Sequence, residues 1–64
     1  MNRLKELREA KGWTQKQLAE ASGVNLRMVQ YYEQGRKDLG KAKITTVVRL
    51  ATALGCNLAE LVKI

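Results

Sequence analysis

On a wheel of about 100° per residue, Arg27, Gln30, Tyr31 and Gln34 fall on one side of a short segment, opposite Met28, Val29 and Tyr32. That outer face is polar, basic and aromatic, and its groups suit hydrogen bonding and attraction to a polyanion. Bond-making chemistry has less to work with. Histidine is absent, and the one cysteine, Cys56, lies just beyond Gly55 with no paired base. No glycine-rich phosphate loop and no paired-carboxylate constellation occurs, so no catalytic residue, metal site, cofactor or small-molecule ligand is expected. Cys56 reads as a small, reduced core residue.

The elements that position this face are short. Thr14 and Gln17 have capping-box spacing, hydroxyl to one free backbone N–H and amide back to another, so a helix starts at about Thr14. Leu18, Ala19 and Ser22 recur at helical spacing and give it a small apolar side, while Lys16, Gln17 and Glu20 point elsewhere. Gly23 ends it, because glycine tolerates the positive φ of a sharp helix exit. Val24 can fill the inner corner of the turn, and Asn25 is a good N-cap for the second segment. Two short helices meeting across so tight a turn is how a helix is presented to a DNA groove.

Charge agrees with a polyanionic partner. Twelve Lys and Arg against six Asp and Glu give +6 on 64 residues, which favours counterion-releasing association. Such a balance alone also describes a solubilising surface. Its distribution narrows the choice: Arg27, Arg36, Lys37, Lys41 and Lys43 face only Glu33 and Asp38 over the same stretch, beside the turn.

The rest of the chain reads as support. Asn2 can cap a first helix with the stripe Leu4, Leu7 and Ala10; Gly12 stops it, and Trp13 can plug the space between the first two helices. Gln34-Gly35 ends the third helix, and a polar, basic connection runs to about Lys43. Ile44, Val47, Val48, Ala51 and Leu54 then give a strong helical signal that Gly55 closes. Asn57 and Glu60 repeat the capping-box spacing and open a last short helix with Leu58, Leu61 and Val62. Five helices are predicted in one all-α domain, residues 1–64, with the two-helix motif at about 14–34. Phe and Pro are absent and Ala, Leu and Val supply the apolar content, which suits close helix packing. A core this small is marginal below about 70–80 residues, so oligomerisation is expected as support. One cysteine suits a reducing compartment and no apolar run has membrane-spanning length, so the expectation is a cytoplasmic protein without membrane contact.

Gln15, Leu18, Ala19, Gly23, Val24, Val29, Tyr32, Glu33 and Gly35 match the pattern of the Cro/repressor-type (XRE) helix-turn-helix family, which the chain thus resembles. Arg8 ahead of Lys11-Gly12-Trp13-Thr14-Gln15 looks like the family's approach to the second helix. Leu50-Ala51, Ala53-Leu54-Gly55 and Leu58 with Leu61 look like its fourth and fifth helices. One departure is the stretch Arg36 to Lys43, longer than the family's usual connection and without proline.

The resemblance implies a compact five-helix, lambda-repressor-like fold and a sequence-specific regulator of transcription that binds double-stranded DNA through the major groove. It implies a repressor acting as a homodimer on a two-fold operator, with half-sites roughly 34 Å apart. Base reading then falls to Asn25, Leu26, Arg27 and Tyr31. Asn25 can instead be only a helix cap, Leu26 can touch a thymine methyl or fold back, and Arg27 can take guanine or a phosphate. Phosphate contacts fall to Thr14, Gln15, Lys16, Gln30, Arg36, Lys37, Lys41 and Lys43, with Gln15 also able to brace a side chain of the third helix. Arg8 and Glu33 are placed as a structural ion pair tying the first helix to the third. Leu58, Leu61, Val62 and Ile64 are the expected dimer interface, unless they cover the first helix. The alternative reading is a protein-interaction module, an antirepressor, adaptor or antitoxin-like partner, docking through Leu26, Met28 and Tyr31.

Overall fold

Residues 2–62 are described in a computed structural model. Helices α1 (Leu4–Ala10), α2 (Gln15–Ser22), α3 (Leu26–Gln34), α4 (Ile44–Leu54) and α5 (Leu58–Val62) follow one another, with a single 3-10 turn, Leu39–Lys41, between α3 and α4. No strand occurs among the described residues. Three local signals account for the boundaries. Asn57 and Glu60 exchange side-chain and backbone bonds at 2.8 and 3.1 Å, the expected capping box of the last helix, while the N-cap of the first is Arg3 rather than Asn2, whose Oδ1 accepts the Leu4 amide at 2.9 Å from one residue further out. Gly55 leaves α4 at φ +70°, the left-handed conformation that a Cβ would strain.

Packing puts α2 at the centre, against α3 on one side and α4 on the other, while α1 meets α3 and α5. Leu4, Leu18, Val29, Leu39, Leu50 and Leu61 are fully buried and draw every helix into one core. Each such side chain stabilises the fold by roughly 1.5–3 kcal/mol relative to exposure. The Arg3 amide donates to the Leu61 carbonyl at 2.9 Å, closing the first helix onto the last.

Four expectations are corrected here. Ala10 is exposed, because α1 ends there and only Leu4 and half-buried Leu7 reach the core. The buried side of α4 is Val47, Leu50, Ala51 and Leu54, so Val48, about 100° round from Val47, is 43% exposed. Ile44 is 63% exposed: as the first residue of α4 it overhangs a groove of about 220 Å³ shared with Leu39, Ala42, Leu58 and Val62. The connection from Arg36 to Lys43 is not wholly polar, since Leu39 is driven into the core. Asp38 Oδ1 accepts the Gly40 amide at 2.9 Å and sets that turn.

Candidate nucleic-acid interface

Every bond that defines the two-helix motif is local and satisfied. The Gln17 amide donates to Thr14 Oγ1 at 3.1 Å, and the Thr14 amide donates to Gln17 Oε1 at 2.8 Å, completing the capping box. Gly23 turns the chain at φ +73°. Buried Ser22 then accepts the Val24 amide at 3.2 Å and donates to the Ala19 carbonyl at 3.4 Å, so the corner encloses no unpaired hydroxyl. Asn25 Oδ1 accepts the Arg27 amide at 2.8 Å, which makes Asn25 the N-cap of α3.

From that cap the helix divides into two sides. Val29 and Tyr32 are buried and Met28 is half-buried against the core, while Leu26, Arg27 and Gln34 are exposed and Gln30 and Tyr31 half-buried. Leu26 is an apolar side chain left 38% exposed at the start of the helix. The Arg36 guanidinium stands 5.9 Å from the centre of the Tyr31 ring, and its amide donates to the Tyr31 carbonyl at 2.9 Å. A cation over the negative face of a phenol ring is held there by the ring quadrupole. Lys16, Arg36, Lys37, Lys41 and Lys43 are all exposed, and among the described residues the ion pairs are Arg3–Glu6 and Arg8–Glu33. The cations around α3 therefore carry no acidic partner among the described residues.

Behind the exposed side, Arg8 clamps α3 to the elbow between α1 and α2. Its Nε and Nη2 donate to Glu33 at 2.7 and 3.1 Å, and its Nη1 donates to the Trp13 carbonyl at 2.6 Å. The side chains are only 11% and 3% exposed, Arg8 and Glu33 respectively. The hydrogen bond to Glu33 outweighs the burial that opposes it and raises the Arg8 guanidinium pKa further above its ordinary value. Gln15 Nε2 joins the cluster, donating to Glu33 Oε1 at 3.2 Å.

The structure thus brings the expected residues together with different commitments. Asn25, Leu26 and Arg27 open α3 side by side; Tyr31 lies a turn further on beneath Arg36. Thr14, Gln15 and Lys16 start α2, but the Gln15 amide N–H is engaged with Glu33 and Thr14 Oγ1 with its cap. Lys41 belongs to the 3-10 turn and Lys43 precedes α4 as its N-cap. At the other end of the molecule, Leu61 is fully buried and is removed from the expected dimer surface, having been consumed by packing against the core. Leu58 and Val62 stay half-buried, and Ile64 lies outside the described residues. Two participants had escaped notice: Leu39, whose signal was an apolar residue between the turn formers Asp38 and Gly40, and the Trp13 carbonyl, for which a sequence holds no signal.

No described helix is long and apolar enough to cross a membrane. A family model described as helix-turn-helix matches residues 4–61, which takes in all five helices up to Leu61. No curated protein and no solved structure gives a significant match.

Proposed function

This chain belongs to the Cro/repressor-type helix-turn-helix family, a DNA-binding family with a lambda-repressor-like fold, and from that premise we propose that it is a sequence-specific regulator of transcription. It binds the major groove of a two-fold operator as a homodimer and represses by occupying the site that transcription machinery needs. The observation that carries this reading is α3 itself: Arg27 stands exposed, with no ionic partner among the described residues, in the first turn of a helix whose reverse side is locked by Arg8, Glu33 and Gln15. Guanidinium geometry favours a bidentate contact with guanine, and a locked helix spends little entropy in making it.

Around that contact Leu26, Asn25 and Tyr31 meet bases, and Thr14, Lys16, Gln30, Arg36, Lys37, Lys41 and Lys43 meet phosphates. Gln15 acts chiefly through Glu33, with its Oε1 left for a partner. Two copies pair through Leu58 and Val62, joined by Ile44 on the same groove in place of Leu61.

Titrating duplex DNA at several salt concentrations tests the proposal. Affinity is expected to fall linearly on log–log axes with a slope of about −0.9 per phosphate neutralised. Arg27→Ala is expected to weaken the specific complex by about 1–3 kcal/mol and to relax the preference at one base position. Weak binding that salt hardly alters would refute the reading and favour the protein-interaction module, for which exposed Leu26 would be the contact.

A further inference from the structure

We infer that the first turn of α3 reads base edges that only accept hydrogen bonds, guanine and thymine, and that Asn25 does not read adenine. The inference rests on the proposed use of α3 as the reading helix and names what that helix prefers. An asparagine recognises adenine by using both ends of its amide, the nitrogen donating to N7 and the oxygen accepting from the N6 amino group. Asn25 has one end already engaged. Its Oδ1 accepts the Arg27 amide at 2.8 Å, and because a backbone N–H needs an acceptor, the atom at that position must be the oxygen. The amide plane is fixed by this bond, with the oxygen turned toward the helix's own first turn and the NH2 group as the end left for a partner.

The neighbours of Asn25 add no acceptor. Arg27 carries N–H donors alone, is exposed, and has no ionic partner among the described residues. Leu26 between them offers only apolar contact and is 38% exposed. The turn therefore presents donor, apolar surface and donor in succession. In the major groove guanine shows two acceptors, N7 and O6, and thymine shows O4 with a methyl group beside it. Adenine N6 and cytosine N4 are donors, and placed against this turn each would be left without a partner, at the cost of its desolvation. Gln30 and Tyr31, which can both donate and accept, lie a turn later and do not change the first turn's preference.

Selection from random duplexes, repeated with Asn25→Asp, tests this. Aspartate caps a helix as well as asparagine, so thermal stability stays level, while the one donor is replaced by an acceptor. Wild type is expected to select guanine or thymine at adjacent positions of one strand. Replacing the selected guanine by 7-deazaguanine, which lacks the N7 acceptor, or thymine by uracil, which lacks the methyl group, is expected to weaken binding, by roughly tenfold for the guanine. Asn25→Asp is expected to lose roughly tenfold on that site and to shift one position toward cytosine or adenine. An adenine selected by wild type at the position that Asn25→Asp alters, weakened by removal of its N6 amino group, overturns the inference. Tight, salt-dependent binding without enrichment overturns it while leaving DNA binding intact. Weak, salt-insensitive binding overturns the underlying reading as well.

Discussion

Deleting either member of the Arg8–Glu33 pair should cost more than any single DNA-facing substitution, and the two deletions should differ. Arg8→Ala leaves a carboxylate that is 3% exposed with the Gln15 amide, at 3.2 Å, as its remaining side-chain donor, and it frees the Trp13 carbonyl as well. A buried ion stripped of its counter-charge costs about 3–5 kcal/mol, and Arg8→Ala belongs toward the upper end. Glu33→Ala leaves a guanidinium that is 11% exposed and still bonded to Trp13, which places it toward the lower end. A domain of this size has only about 3–10 kcal/mol in total, so Arg8→Ala should remove half of it or more. Glu33→Ala should melt roughly 12–24 °C lower. Urea melts at pH 7 followed by circular dichroism measure both, with Arg8→Met/Glu33→Leu as the control in which neither charge is orphaned. That double variant should lie close to wild type or above it. Losses below about 1 kcal/mol for both single variants would refute the claim that the cluster is a desolvated clamp.

Two further outcomes follow from burial. Leu39→Ala should lose about 2–5 kcal/mol, because the side chain is fully buried and its removal leaves a cavity under the 3-10 turn; a urea melt reads this, and a loss near zero would mean the turn is not anchored. Burial, followed by the charge of Glu60, raises the Cys56 thiol pKa above its ordinary value. The folded state then holds that proton more tightly than the unfolded one. This stabilisation is complete below the unfolded thiol's pKa and is lost as pH rises through the thiol range toward the folded value. Wild type should accordingly lose stability across that alkaline window more steeply than Cys56→Ala, and equal slopes would dismiss the effect.

What was legible in the chain divides by the range of the forces involved. The capping boxes at Thr14 and Asn57, the Asn25 cap and the left-handed exit at Gly23 each bind atoms within four residues, so the spacing alone specifies them. The Arg8–Glu33 pair spans 25 residues and was legible only through resemblance to a family. The bond from Gln15 to Glu33, 18 residues apart, was legible in the same way, as a brace to the third helix without its partner named, whereas nothing in the periodicity marked the descent of Leu39 into the core. The stripe on α4 was misjudged for a related reason. Its apolar residues cover more than one side, and only the neighbours α2 and α5 decide that Leu50 is buried while Val48 and Ile44 are not.

The same distinction bears on how the proposed interface divides its work. Among its neutral polar groups, Thr14 Oγ1, the Gln15 amide N–H and Asn25 Oδ1 are engaged inside the protein, so the hydrogen-bonding capacity left for a duplex is reduced before one arrives. The cations assigned to phosphates, Lys16, Arg36, Lys37, Lys41 and Lys43, remain exposed without acidic partners among the described residues. Affinity in such a surface must be mostly ionic and therefore strongly salt-dependent, whereas discrimination rests on the few atoms that α3 leaves uncommitted. Raising salt should then weaken cognate and random duplexes by similar factors and leave their ratio nearly constant. A ratio that collapsed with salt would mean that the phosphate-facing cations also choose the sequence, and the division of labour would be wrong.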